Sequence, residues 1–89
     1  MKYRVLWSPE AELQLEAIVA AADDRGRIGS AVQTIDRSLS IDPTGFGESR
    51  SGSIRIGFAR PLGVQYDLLK DVATVVVEDV WRTDRKRGE

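Results

Sequence analysis

The 89-residue chain contains neither cysteine nor histidine. Without cysteine it can form no disulfide bond, no thiolate nucleophile and no thiolate ligand for zinc. Without histidine it lacks the side chain that most often serves as a general base or a metal ligand at neutral pH. Any catalysis must therefore depend on arginine, lysine, carboxylate, tyrosine or serine side chains, and we expect no metal site.

Long apolar segments are also missing. The longest uninterrupted apolar run, Ala17 to Ala22, is far shorter than the roughly 20 residues that cross a bilayer. No apolar stretch of the secretory type precedes Ser8 and Pro9. The composition, 42% hydrophobic and 30% charged, is that of a globular protein. We therefore expect one domain over residues 1–89, no membrane partner and a cytoplasmic location.

The charge is nearly balanced overall but uneven along the chain. The formal net charge is −1, with −3 over residues 1–48 and +2 over residues 49–89. A protein that coats a nucleic-acid duplex is normally much more basic. Broad nucleic-acid binding is therefore disfavoured, whereas a local basic site in the second half remains open.

The first half of the chain predicts a strand followed by two helices. Residues 2–7 alternate polar and apolar side chains with period two, as a strand does, with Leu6 as the exception. Ser8 can cap a helix and Pro9 suits its first position. Apolar residues at helical spacing follow, interrupted at residues 23–26 and ended by Asp42–Pro43. These apolar positions are Ala11, Leu15, Ile18, Val19 and Ala22, then Ile28, Val32, Ile35 and Leu39.

The second half predicts a loop and three strands. Residues 44–52 contain three glycines and two serines, and we expect a mobile loop there. Period-two runs then predict strands over 53–59, 62–69 and 74–82, close enough in sequence to form an antiparallel meander. We expect residues 83–89 to be a frayed polar tail.

These elements give the order β-α-α-β-β-β. The predicted fold is α+β, with a helical hairpin packed on one face of a mostly antiparallel four-stranded sheet. Since two helices cover one face, the other face should be at least partly exposed. We expect Ile54 and Ile56 to point toward the helices and Arg55 to lie on the open face.

Several short motifs resemble, in their order and spacing, those of the RelE/ParE superfamily. These proteins, also called plasmid stabilisation proteins, are toxins of bacterial type II toxin–antitoxin systems. The resemblance covers about residues 3 to 85. The motifs are Tyr3-Arg4-Val5-Leu6-Trp7-Ser8-Pro9-Glu10-Ala11, Asp42-Pro43, Pro61-Leu62-Gly63-Val64-Gln65-Tyr66 and Val80-Trp81-Arg82.

The resemblance implies a toxin that inhibits growth, uses no cofactor and is neutralised by a cognate antitoxin. RelE-like members cut mRNA on the ribosome, and ParE-like members inhibit DNA gyrase. The leading hypothesis is an RelE-like mRNA interferase. The alternatives are a ParE-like gyrase inhibitor and a non-catalytic binding module of the same fold, either a degenerate toxin or a homodimer.

Under the mRNA hypothesis, metal-free RNA cleavage needs cations that stabilise the charge developing on the phosphate. Arg55 and Arg82 are the candidate catalytic residues, because a guanidinium group matches phosphate oxygens. Arg50 and Arg85 could assist by binding, and Trp81 at a strand end could anchor a partner.

Each candidate also has an ordinary structural interpretation. Arg55 could be a solvated residue or an ion-pair partner of Glu78 or Asp79. Arg82 and Arg85 could belong to a basic, solubilising tail. Tyr66, which alternates with apolar residues, is expected in the core rather than as a catalytic phenol.

Overall fold

The computed structural model describes residues 2–84 as a five-stranded sheet with helices packed against it. Its elements are β1 Arg4–Trp7, α1 Pro9–Ala21, α2 Arg25–Ile41, α3 Pro43–Phe46, β2 Gly47–Ser51, β3 Ile54–Ala59, β4 Leu62–Leu69 and β5 Thr74–Arg82. A 3-10 turn over Lys70–Val72 joins β4 to β5. The prediction of an α+β fold is confirmed.

The sheet has the strand order β1-β5-β4-β3-β2. β1 runs parallel to β5, and the other neighbouring pairs are antiparallel. The sheet is therefore mixed and has five strands, so the prediction of four strands was wrong. The added strand is β2, which lies inside the segment expected to be a mobile loop, and most of α3 lies there too.

The sequence did not predict β2, because this edge strand has no apolar face. It pairs only with β3, and four of its five residues are exposed. Its backbone hydrogen bonds, rather than any alternation of side chains, make it a strand. The glycine and serine content that indicates a loop is tolerated at this solvated edge.

The predicted helix boundaries follow from their caps. The Ser8 hydroxyl accepts a hydrogen bond from the Ala11 backbone N–H at 3.0 Å, and Pro9 is the first residue of α1. Asp42 ends α2 and starts α3, since its carboxylate accepts from the Gly45 backbone N–H at 3.0 Å. Pro43 then takes the first position of α3.

The core lies between one face of the sheet and helices α1 and α2, as predicted. Each fully buried aliphatic side chain contributes roughly 1.5–3 kcal/mol relative to its exposed state. Val5 and Trp7 of β1, and Tyr3 just before it, pack against this core. The buried side chains are Ala11, Ala22, Ile28, Ala31, Ile35, Leu39, Leu62, Val64, Tyr66, Leu68, Val75, Val77 and Val80.

The segment that begins at Thr83 was expected to be frayed, but its first two residues are bonded to the domain. The Thr83 backbone N–H donates to the Pro61 carbonyl at 2.8 Å, and Asp84 forms an ion pair with Arg27. Residues 85–89 of the predicted tail lie outside the described residues. Within residues 2–84, no helix combines the length and the hydrophobicity needed to cross a membrane.

Candidate functional site

The pairing of β3 with β4 determines which way Arg55 faces. Arg55 lies opposite Tyr66, and Gly57 lies opposite Val64. Because Tyr66 and Val64 are fully buried, Arg55 and Gly57 lie on the face that the helices cover. Ile54 and its period-two partners therefore face away from the helices, and the predicted orientation of β3 was wrong.

Alternation alone could not reveal this orientation, because the core-facing positions of β3 look polar. Gly57 is buried although it has no side chain. A Cβ atom at Gly57 would lie 2.5 Å from the Phe46 ring, which occupies the space that a side chain would otherwise fill. Phe46 comes from α3, the element that the sequence did not predict.

The Arg55 side chain forms hydrogen bonds on both sides of the junction between α3 and β2. Its Nη2 atom donates to the backbone carbonyls of Thr44 and Gly47, both at 2.8 Å. Its Nε atom is buried and has no hydrogen-bond partner among the described residues. Neither Glu78 nor Asp79, the ion-pair partners considered from the sequence, pairs with it there.

Tyr66 is a core residue, as predicted. It is fully buried, and its hydroxyl donates to the Pro43 carbonyl at 2.6 Å. Burial raises the pKa of the phenol, and the neighbouring Arg55 offsets only part of that rise. The phenol is therefore neutral at pH 7, and its hydroxyl already donates its hydrogen bond to the Pro43 carbonyl.

Arg82 lies in an ionic cluster at the end of β5. Its Nη1 and Nη2 atoms donate to the two carboxylate oxygens of Asp24 at 3.0 and 2.9 Å. Its Nε atom donates to Asp84 at 2.9 Å, and Arg27 contacts Asp24 and Asp84 at 3.1 Å each. We call these four residues the Arg82 cluster. It connects the α1–α2 junction to the end of the sheet.

The hydrogen bonds within the Arg82 cluster favour its charged forms. The bonds from Arg82 hold the pKa of Asp24 at about 2, below its usual value. The same contact with Asp24, followed by that with Asp84, raises the pKa of Arg82 further. The guanidinium group of Arg82 is thus already bound to carboxylates at the positions where it would bind phosphate oxygens.

Asp24 makes the stability of the protein sensitive to acid. Because its pKa is lower in the folded state, its contribution is complete above the unfolded pKa of about 3.9 and is lost as pH falls toward about 2. Between pH 4 and pH 2, the wild type should lose more of its urea midpoint than Asp24→Asn does. Asp23→Asn, at a carboxylate without a described ion pair, should lose as much as the wild type. Equal acid sensitivity of the wild type and Asp24→Asn would contradict this assignment.

The sheet face opposite the helices, which we call the open face, combines apolar and polar side chains. Among residues 2–84, the cations at its strand positions are Arg4 on β1 and Arg50 at the register irregularity of β2. Phe58 is 55% exposed and Leu6 is 46% exposed. The apolar side chains of the open face are Leu6, Ile54, Ile56, Phe58, Leu69, Val76 and Trp81.

Trp81 forms an aromatic pair with Phe58 on the open face. Its ring covers Gly63, where a Cβ atom would lie 2.7 Å from the indole. It meets Phe58 edge to face, with ring centroids 6.3 Å apart and an interplanar angle of 84°. The prediction that Trp81 anchors a partner remains a prediction. Phe58 was missed because β3 had been assigned the opposite orientation.

Solved structures from toxin–antitoxin systems share this architecture. A chain of the RelBE2 toxin–antitoxin complex from Mycobacterium tuberculosis matches with a TM-score of 0.76 and 19% identity, over 92% of this chain and 99% of that one. The isolated E. coli RelE toxin matches with a TM-score of 0.67 and 11% identity, over 96% and 88%. A chain of the chromosomal ParDE toxin–antitoxin system from P. aeruginosa matches with a TM-score of 0.61 and 16% identity, over 91% and 96%.

The chain has the fold of the RelE and ParE toxins. The resemblance stated from the sequence motifs is thereby confirmed at the level of the fold. No protein-family model and no curated protein matches this sequence.

Within this RelE/ParE fold, the predicted catalytic arginines do not converge. Arg55 lies beside Tyr66 of β4 and Arg82 beside Leu62. These β4 positions are about 13 Å apart along the strand, and the arginines flank β4 on opposite sides. Arg50 is exposed at a register irregularity of β2, away from the Arg82 cluster.

Arg85, the remaining predicted binding residue, lies outside the described residues. Within residues 2–84, no group of carboxylates could hold a metal ion. The open face of this RelE/ParE fold carries the exposed Phe58 beside Trp81.

Proposed function

We propose that this protein is the toxin of a type II toxin–antitoxin pair and that it inhibits a protein target through the open face. The RelE and ParE fold supports the first part, since the similar structures come from such toxins and their complexes. The aromatic pair of the exposed Phe58 and the half-buried Trp81 supports the second part, because aromatic anchors are typical of protein interfaces.

A cognate antitoxin is part of this proposal. The similar structures include a RelBE2 complex and an archaeal RelE–RelB complex from Pyrococcus horikoshii OT3. By analogy, this chain would be held inactive by a protein partner until that partner is removed. Co-purification of a small protein encoded beside this one would identify the partner.

The charge of the open face favours a protein over a nucleic acid. A phosphate backbone is bound by several lysines and arginines. The open face has one arginine at each edge, Arg4 on β1 and Arg50 on β2, but carboxylates lie beside them: Glu48 lies opposite Ile56 and Asp67 lies opposite Val76. An apolar surface with carboxylates around it suits an apolar protein segment flanked by neutral or basic residues. Of the two targets that the resemblance implies, DNA gyrase, as a protein, is the better fit.

Cleavage of mRNA is the second candidate, and the similarity to E. coli RelE favours it. That mechanism would require Arg82 to leave Asp24 and Asp84 before it could contact a phosphate. It would also require a base and an acid in a chain without histidine, whose Tyr66 hydroxyl is already occupied.

Induced expression without the antitoxin tests the proposal. We expect growth arrest with the wild type and also with the double variant Asp24→Asn/Arg82→Gln, which keeps neutral hydrogen-bonding groups at these two positions but removes the guanidinium group of Arg82 and its partner carboxylate. Circular dichroism would verify that the variant is folded. Normal growth with the wild type would contradict the toxin assignment. Arrest by the wild type but not by the folded double variant would favour mRNA cleavage.

A further inference from the structure

The C-terminal part of β5 is a free edge of the sheet. β1 pairs with β5 only as far as Val77, whereas β5 continues to Arg82. The Ser8 hydroxyl donates to the Glu78 carbonyl at 3.3 Å, and beyond this point no strand among residues 2–84 lies beside β5 on the side away from β4. We call residues 79–82, which span roughly 10 Å, the free edge. The backbone groups of an uncovered strand edge can pair with a further strand.

The hydrogen bonds around the free edge determine which backbone groups point outward. The Val80 N–H donates to the Gln14 side-chain oxygen at 2.8 Å, so it points away from β4. The Thr83 N–H donates to the Pro61 carbonyl at 2.8 Å, so it points toward β4. Because backbone groups alternate along an antiparallel strand, the N–H and C=O groups of Arg82 point outward as those of Val80 do. Among residues 2–84, no group bonds to the Val80 carbonyl or to the Arg82 N–H on this side.

A groove runs between the free edge and α1. It is an open cavity of about 1060 Å³. Ala17, Ile18 and Ala21 line it from α1, and Val80 and Trp81 line it from β5. The Arg82 cluster lines it near the α1–α2 junction. The α1 wall is therefore apolar, as is suited to a strand whose alternate side chains would face the helix.

The groove adjoins the open face and has a similar charge. Trp81 lines the groove and also pairs with Phe58 on the open face, so a segment held by this aromatic pair lies beside the free edge. Three carboxylates and two guanidinium groups line the groove, which gives it a net charge of −1. Both surfaces thus suit an apolar segment flanked by neutral or basic residues. The charged lining residues are Asp23, Asp24, Arg27, Arg82 and Asp84.

We propose that the protein target bound by the open face also adds an extended segment of its chain to the free edge. The segment passes Trp81, pairs its backbone with Val80 and Arg82, and places apolar side chains against the α1 wall. In this mode of recognition the main-chain hydrogen bonds supply affinity and the side-chain contacts supply specificity. The inference rests on the proposed function and adds a second contact region to it.

Two arginine substitutions on α1 test the groove. Ala17→Arg fills it with a long side chain, whereas Ala20→Arg places the same side chain on α1 outside it. Both positions are exposed and arginine is a good helix former, so both variants should keep the urea midpoint of the wild type. After induction without the antitoxin, the wild type and Ala20→Arg should arrest growth. Ala17→Arg should restore colony formation, because the loss of two hydrogen bonds weakens binding about tenfold or more.

Amide hydrogen exchange of the full chain without a partner tests the free edge itself. The Arg82 amide should exchange at least about tenfold faster than the Thr83 amide, whose N–H is bonded to the Pro61 carbonyl. Equal protection of the two amides would overturn the proposal, since the edge would then be covered already.

The growth results separate this inference from the proposed function. Normal growth with the wild type would overturn both. Equal arrest by the wild type, Ala17→Arg and Ala20→Arg would overturn only the groove as a target site. If Ala17→Arg stays toxic but no longer co-purifies with the antitoxin, the groove belongs to the antitoxin. If it stays toxic but loses a dimer seen by sedimentation of the wild type, the groove belongs to a second copy. Either of these last two results would also overturn the proposal.

Discussion

Replacement of Tyr66 by alanine is expected to lower the free energy of unfolding by about 3–5 kcal/mol. A typical domain has about 5–15 kcal/mol in total, so this loss would bring the protein close to unfolding. The effect is large because the side chain is fully buried and contacts Phe46, with ring centroids 6.1 Å apart. It also connects the core to Pro43 at the start of α3. Urea denaturation followed by circular dichroism measures the change.

Tyr66→Phe isolates the hydroxyl group from the ring. It leaves the Pro43 carbonyl without its 2.6 Å donor, and we expect a loss of about 1–3 kcal/mol. Tyr3→Phe is the matched control, because Tyr3 is half-buried and has no described side-chain hydrogen bond. It should change the stability by less than about 0.5 kcal/mol. Equal stability of the two variants would contradict the structural role of the hydroxyl.

The same variant separates a core tyrosine from a catalytic phenol. Tyr66→Phe should remain folded and still arrest growth, because its hydroxyl is committed to a backbone carbonyl. Loss of growth arrest in a folded Tyr66→Phe protein would assign the phenol to catalysis.

Replacement of Phe58 by alanine should relieve the growth arrest caused by the protein. Truncation of a central interface residue weakens binding by at least about 2 kcal/mol, which is roughly 30-fold in affinity. Phe58 suits this role because it is 55% exposed and pairs with Trp81. Colony counts after induction measure the toxicity, and pull-down of the target measures the affinity.

Leu13→Ala is the control for Phe58→Ala. Leu13 is 65% exposed on α1, so this variant also removes exposed apolar surface, but away from the open face. It should remain as toxic as the wild type. Both variants should retain near-native unfolding midpoints, because neither side chain is buried. Equal toxicity of the two variants would contradict a role for the open face.

The sequence predicted best those elements whose side chains meet the core with a clear period. β4 and β5 have the predicted boundaries, and Leu62, Val64 and Tyr66 all face the core. The start of α1 at Ser8–Pro9 and the end of α2 at Asp42–Pro43 were also predicted, because both signals lie in neighbouring residues of the sequence.

The features that the sequence did not predict depend on contacts between distant segments. β2 forms only because β3 offers backbone partners. The orientation of β3 depends on Phe46 filling the space above Gly57. The engagement of Arg82 requires Asp24 and Arg82 to meet although 58 residues separate them. As a result, the fold class was predictable, whereas the environments of Arg55 and Arg82 were not.

The central claim is that this RelE/ParE fold acts on a protein through its open face, and an assay of two targets in parallel tests it directly. Purified protein would be added to ribosomes translating a defined mRNA and, separately, to gyrase supercoiling a plasmid. We expect that supercoiling is inhibited, that Phe58→Ala relieves the inhibition and that the mRNA stays intact. Ribosome-dependent cleavage of the mRNA with supercoiling unaffected would contradict it.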